Sequence, residues 1–300
     1  METSDPGVSV ILCTRNRARW LPDTLNRYAD VKASVPWELV VVDNGSTDET
    51  PRILQEFAAS GRIPLRVVNE PRPGLSRARN QGLRVARGQI IAFSDDDCYP
   101  SEDYIDQLWQ KMHDTGIDYL GGRVLLYDPE DFPITIQTDT NRYHIEPHSL
   151  PTDGRIHGAN MAAQRTVFAK TGGFDELLGA GGPIPAAEDT DWLARASAAG
   201  FRGLYEPDVF VFHHHRRRSN DQVESLRRSY DVGRGAYYVK CLLDRTRRKA
   251  AARSWYWSIR ARLALVRKGK RSLPSIYHEF RGALKYATLR AAMTVGMRSR

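Results

Sequence analysis

Asp95, Asp96 and Asp97 follow directly on the apolar stretch Gln89–Ser94. Three consecutive carboxylates repel one another and resist burial, so a run at the end of a buried strand needs compensating charge. A divalent cation supplies it. Mg²⁺ and Mn²⁺ take oxygen ligands and commonly share them with substrate phosphates. The bland alternative is a solvated acidic turn; the residues around the run favour the cation. A second acidic group, Glu188-Asp189-Thr190-Asp191, opens a predicted helix reaching about Ala199. Negative charge suits a helix start, which would explain the acids alone. It does not explain the preceding segment 179–187, with three glycines and two prolines. Such a loop could close over a bound molecule.

The elements that must hold these residues are legible in the first hundred positions. Val8–Cys13, Glu38–Val42, Leu65–Asn69 and Gln89–Ser94 read as strands. Arg19–Asp30, Thr47–Ser60 and Ser76–Arg87 read as helices between them. Continuous apolar strands alternating with amphipathic helices predict a mostly parallel α/β sheet with helices on both faces, a Rossmann-like arrangement. Ligands of such sheets bind beyond the carboxyl ends of the strands. The loops there are Thr14-Arg15-Asn16, Asp43–Ser46, Glu70–Gly74 and Asp95–Asp97. Ser46-Thr47-Asp48 also suits a helix N-cap. Farther on, Tyr119–Tyr127, Ile156–Ala162, Phe201–Glu206 and Val209–Phe212 are predicted strands, with a turn at Thr171–Phe174. Residues 128–155 are rich in Pro, Asp and Thr and are expected to form a long loop.

Charge divides the chain. Residues 1–213 hold 21 Lys/Arg and 31 Asp/Glu, whereas residues 214–300 hold 23 Lys/Arg and 5 Asp/Glu. An acidic body with a basic extension suggests a catalytic head and an anion-seeking tail. We therefore divide the chain into residues 1–218, with a nucleotide-binding part to about 100 and an acceptor-side part from 101, and a mainly helical extension over 219–300. Three widely spaced cysteines, Cys13, Cys98 and Cys241, predict neither a disulfide framework nor a zinc site, and suit a reducing compartment. No run approaches the roughly 18 apolar residues of a membrane span. The opening METSDPG has no basic and apolar leader pattern, so no signal peptide is expected. A cytoplasmic location follows, peripheral on the inner membrane face if the tail binds lipid.

Six segments occur together: VSVILCTRNR, VVVDNGSTDET, PGLSRARNQGLRVARGQIIAFSDDD, GANMAAQRTVFAKTGGFDE, EDTDWLARASAAG and FVFHHHR. In this order, over roughly residues 7–218, the chain resembles the family 2 inverting glycosyltransferases of GT-A fold. The resemblance implies transfer of a sugar from a nucleotide-diphosphate donor, UDP-linked by expectation, to an acceptor hydroxyl of a glycan, glycolipid or other small acceptor. It implies Mn²⁺ or Mg²⁺ on Asp95 and Asp97, completed by His213, with Asp96 facing the donor. Asp43 corresponds to a base-reading carboxylate, although Asp-Asn-Gly is also good turn chemistry. Thr14, Arg15, Asn44, Arg77, Asn80 and Asn160 complete the implied donor site, with Arg79 a third polar candidate after the third strand. Asp189 corresponds to the catalytic base. Glu188, Asp191 and Trp192 are implied on the acceptor side, a core role for Trp192 remaining open. Arg218 is the candidate for the diphosphate among Arg216, Arg217 and Arg218. The QxxRW motif of processive synthases is absent.

Two other readings stay in view. A nucleotidyltransferase-like enzyme would usually have a glycine-rich first loop, which CTRNRAR is not. A non-catalytic nucleotide-sugar or membrane-surface binder would not need both acidic groups. For the tail, an anionic membrane surface competes with packing on the head or on a second copy. Trp255, Ile259, Leu263 and Val266 fall at helical spacing, as do Phe280, Leu284, Ala287 and Ala291. Nucleic acid is disfavoured, since no recognition signature accompanies the charge.

Overall fold

The computed structural model describes residues 5–150, 154–267 and 274–298. Four parallel strands open the chain: β1 (Val8–Thr14), β2 (Trp37–Asp43), β3 (Leu65–Asn69) and β4 (Ile90–Asp95), in the order β3-β2-β1-β4. The helices α1 (Leu21–Ala29), α2 (Thr50–Ala59) and α3 (Leu75–Val85) connect them. The second half adds β5 (Cys98–Pro100), α4 (Tyr104–Thr115), β6 (Tyr119–Leu126), β7 (Tyr143–Ile145), β8 (Asn160–Gln164), α5 (Arg165–Thr171), α6 (Glu188–Ala198) and β9 (Gly203–His213). β8 inserts antiparallel between β4 and β6, and β9 runs parallel to β6. β5 and β7 pair antiparallel with β9. The result is one nine-stranded mixed sheet.

Alternation along the strands builds a core on each face. Val8, Val10 and Leu12 of β1 join Leu39 and Val41 under α1, α2 and α4. Ile11, Val40 and Val42 point the other way, toward Ala78 of α3, Phe168 of α5 and Trp192 of α6. Each fully buried Val or Leu contributes roughly 1.5–3 kcal/mol.

Three local expectations shift. The strand expected from Ile156 begins at Asn160, because His157–Ala159 form a turn closed by Asn160 N–H on the His157 carbonyl at 2.9 Å. The runs expected at Phe201–Glu206 and Val209–Phe212 are one strand, β9, whose register slips opposite Gly122 and Arg123. α4 was not anticipated, although Tyr104, Ile105, Leu108 and Met112 have helical spacing and are all buried.

Three helices complete the chain: α7 (Asn220–Leu243), α8 (Arg248–Arg267) and α9 (Pro274–Arg298). Ser219 and Gln222 form a capping box at the start of α7. α7 and α9 cross at glycines: a Cβ on Gly235 would fall 1.8 Å from the Glu279 carbonyl, and one on Gly282 1.9 Å from that of Val232. α7 also packs on the head. Ala236 joins Leu177, Leu178 and Ile184, while Tyr237, Tyr238 and Cys241 meet Ala194 of α6. Lys240 pairs with Asp175 at 2.6 Å and Asp191 at 2.8 Å. No helix among the described residues is long and apolar enough to cross a membrane.

Candidate active site

The carboxyl ends of β1, β2 and β4 lie side by side: Thr14 is in register with Asp43, and Cys13 with Asp95. β5 returns against the end of β9 and places Cys98 opposite His213. Asp95, Asp97, Cys98 and His213 thereby bring potential ligand atoms within 4.8 Å of one another. His213 Nε2 is 3.2 Å from Asp97 Oδ1, and its Nδ1 lies 3.2 Å from Thr135 Oγ1. Two carboxylates and an imidazole suit a hard or borderline cation such as Mg²⁺ or Mn²⁺. The soft Cys98 thiol does not, and burial pushes it far up toward its neutral form.

Arginines meet this centre from two sides. Arg17 binds Asp96 Oδ1 through Nε at 3.1 Å and Asp97 Oδ2 through Nη2 at 2.9 Å. Arg79 is buried on α3. Its Nη1 donates to Glu188 Oε1 at 3.0 Å, and its Nη2 donates to the Gly158 carbonyl at 3.2 Å and approaches Asp95 Oδ1 at 3.5 Å. Burial raises Asp95 and Asp96, Asp96 to about 7, while Arg79 and Arg17 oppose those shifts. Burial pulls Asp97 upward too, but the hydrogen bond and charge of His213, with Arg17 and Arg217, hold it below the usual carboxylate range. For His213 burial works downward, and Asp97 outweighs it and raises the imidazole. Glu188 is pushed up to about 7 by burial and by Asp189, against Arg79.

The second acidic group meets this centre through a backbone turn. Gly158 N–H donates to Asp189 Oδ2 at 2.9 Å, and Thr190 N–H to Oδ1 at 2.6 Å. Gly158 lies close under Arg79: a Cβ would fall 2.8 Å from Arg79 Nη2 and 3.2 Å from Asp189 Cβ, so a side chain there would displace the guanidinium. The glycine-rich loop before α6 is pinned at several points. Leu75 N–H donates to the Ala180 carbonyl at 2.8 Å, Ser76 Oγ to the Leu178 carbonyl at 2.6 Å, and Ile184 is buried. Ala187, directly before Glu188, has φ 78°. That left-handed conformation is strained for a residue with a Cβ.

Thr14 is buried at the strand end, and Arg15 is exposed at the rim. Asp43 accepts from Ser46 N–H at 3.0 Å. A cavity of about 410 Å³ opens beside it, lined also by Gln55, Val68 and Asn69. A larger one, about 560 Å³, lies between α3 and α5 around Arg84 and Phe168, and neither acidic group lines it.

Several implied site residues serve the framework instead. Asn44 is buried; its amide donates to the Glu70 and Arg72 carbonyls, and its oxygen accepts from Gly74 N–H. Asn80 brackets Phe174, accepting from its N–H at 2.7 Å and donating to its carbonyl at 2.9 Å. Arg77 pairs with Glu176 at 3.2 Å. Of the three polar residues after β3, it is Arg79 that reaches the acidic triplet. Asn160 has no exposed surface; it bonds Tyr104 and the carbonyls of Arg123 and Val209. Trp192 is a core residue, wholly buried and stacked on Phe168 with centroids 4.4 Å apart. Asp191 is equally buried and faces Arg195, Lys240 and Arg247. Arg218 is occupied by Asp128, Glu130 and Asp131 at 2.5, 2.5 and 3.0 Å.

Two further residues lie within the site's electrostatic reach: Arg217, one of the three arginines weighed for the diphosphate, and Tyr230, which lies outside the expected set. Arg217 has no ion-pair partner among the described residues, yet its charge acts on Asp97 and on Tyr230. Tyr230 belongs to α7. Gly233, one turn later, packs on Ala186 so closely that a Cβ would fall 2.8 Å from that residue's Cβ. Tyr230 has 46% of its surface exposed, and the charges of Asp189, Asp95 and Glu188 reach it. Its position depends on how α7 docks, and no local pattern marks it.

Comparison with known proteins agrees with this fold. Residues 9–172 match the family described as Glycosyl transferase family 2. Glycosyltransferase AglE of Haloferax volcanii is 28% identical over 246 residues, covering 82% of this chain and 77% of that protein. The mannosyltransferase PcManGT from Pyrobaculum calidifontis, solved in complex with GDP-Man and Mn²⁺, superposes with a TM-score of 0.63 at 22% identity, over 98% of this chain and 81% of that one. S. aureus TarS 1-349, solved in complex with UDP-GlcNAc, gives a TM-score of 0.61 at 19% identity, over 81% and 69% of the two chains.

Proposed function

The chain belongs to glycosyl transferase family 2 and has the GT-A fold, and from that premise we propose that it transfers a sugar, with inversion, from a nucleotide-diphosphate donor to an acceptor hydroxyl. The observation that carries this reading is the meeting of the two acidic groups through Arg79 and the turn at Gly158. One group can hold a cation against a diphosphate, and the other offers a fixed carboxylate.

Asp95, Asp97 and His213 would hold Mn²⁺ or Mg²⁺. The cation supplies Lewis-acid neutralisation of the departing diphosphate. Arg217, without a carboxylate partner among the described residues, is the proposed diphosphate contact in place of Arg218. Asp43 reads the base by accepting from a ring N–H, which suits uracil and fits the UDP expectation. Asp189, held by Gly158 and Thr190, removes the proton of the acceptor hydroxyl. That oxygen attacks the anomeric carbon from the face opposite the diphosphate. The new C–O bond forms as the bond to the diphosphate breaks, and the proton resides on Asp189. Tyr230, half-exposed and within reach of the Asp189 charge, would offer a ring face to a sugar. The acceptor is a glycan, a glycolipid or another small molecule, met on the cytoplasmic side of a membrane.

Chelation tests the reading. With EDTA, transfer from a panel of nucleotide sugars stops, and Mn²⁺ or Mg²⁺ restores it. Full activity in the chelator would refute the cation role.

A further inference from the structure

α8 and α9 turn one face inward and leave the other without a partner among the described residues. The inner side is knit by a single carboxylate. Glu279 is wholly buried, accepts from Arg234 and from Trp255 Nε1, and pairs with Arg262, so it joins all three helices. Gly282, Ala283 and Tyr286 complete the inner face of α9.

The outer face is apolar and cationic. Phe280, Leu284, Ala287 and Ala291, the stripe at helical spacing, are all exposed, Leu284 by 71%. Tyr277 on α9 and Tyr256 and Trp257 on α8 are exposed as well. Arg253, Arg260, Arg281, Lys285 and Arg290 stand among them, also exposed. Residues 245–300 hold 16 Lys/Arg and only one acidic side chain, the buried Glu279. Among the described residues, α8 and α9 therefore present cations and apolar groups with no exposed acidic side chain of their own.

We propose that the outer face of α8 and α9 docks on a bilayer containing anionic lipid. Large apolar side chains in water are unfavourable by about 25 cal/mol per Å², and contiguous exposed apolar patches mark interaction surfaces. Tyrosine and tryptophan suit the headgroup boundary, where their apolar bodies sink and their polar tips stay wet. Arginine and lysine add attraction to anionic headgroups. A second copy would bring the same cations against this face, and like charges oppose that contact. A nucleic acid would satisfy the cations but leave the aliphatic stripe in water. The inference rests on the membrane placement given above and not on the transfer chemistry.

The test uses the full chain and vesicles of phosphatidylcholine, with and without phosphatidylglycerol. The protein is expected to sediment with the anionic vesicles and to be released by salt. The double variant Arg281→Gln/Lys285→Gln should lower partitioning roughly 30-fold. Leu284→Ser should lower it as well. Both variants should keep wild-type transfer to a water-soluble acceptor without vesicles, so loss of docking and loss of chemistry are read separately. Equal partitioning into neutral and anionic vesicles would overturn the proposal, as would absence of sedimentation. So would a dimer in sedimentation equilibrium that Leu284→Ser dissociates, or tighter binding to a labelled oligonucleotide than to anionic vesicles.

Discussion

Arg79 Nη1 lies 3.0 Å from Glu188 Oε1, a contact that joins α3 to the first residue of α6. Its Nη2 lies 3.5 Å from Asp95. One buried guanidinium thus spans the two acidic groups.

Arg79→Met should therefore destabilise the protein by about 3 kcal/mol, because it leaves the buried Glu188 carboxylate without its cation. Denaturant unfolding measures the loss. Adding Glu188→Gln to that variant should recover part of it. Stability unchanged by Arg79→Met would mean that the arginine is no strut.

Arg217 and Arg218 are adjacent but differ in surroundings. Arg218 is saturated by three carboxylates, whereas Arg217 has no ion-pair partner among the described residues and acts on Asp97 through its charge. Charge-assisted hydrogen bonds contribute about 1.5–3 kcal/mol. Arg217→Ala should accordingly lower kcat/KM for the donor roughly 10- to 100-fold. Arg218→Ala should leave it nearly unchanged and instead weaken the fold around Asp128–Asp131. The reverse ranking in steady-state kinetics would return the diphosphate role to Arg218.

Glu188 is held at about 7, above its ordinary 4.5, by burial and by Asp189. The folded state therefore binds this proton more tightly than the unfolded chain does. The resulting stability is fully present below about pH 4.5 and is lost as pH rises through about 7. Glu188→Gln lacks this dependence. Measured with chelator across that window, the variant should gain on the wild type as pH rises, by on the order of 1–3 kcal/mol. Parallel stability curves would contradict the raised acidity.

The first half of the fold was legible because each strand is an unbroken apolar run between amphipathic helices, which fixes both faces of the sheet at once. The rule that ligands gather at strand carboxyl ends then placed Thr14, Asp43 and Asp95 on one edge. The convergence of Asp97 with His213 needed the short pairing of β5 with β9, a register that no local pattern sets. Asn160, Asp191 and Trp192 sit inside recognisable motifs, but burial assigns them to the framework. Arg17 was visible as a charge in the first loop, yet its grip on two members of the triplet depends on the turn that follows β1. Tyr230 depends wholly on the docking of α7. Membership of the family displaces the nucleotidyltransferase alternative that the glycine-free first loop had already disfavoured.

The central claim is that Asp189 takes the acceptor proton. Its carboxylate is held by Gly158 and Thr190 N–H groups, so Asp189→Asn preserves size and removes the basic oxygen. The direct measurement is donor binding and transfer on the same preparation of this variant. The account predicts donor affinity close to wild type and transfer lowered by roughly 10²- to 10⁴-fold. Undiminished turnover would remove Asp189 as the base.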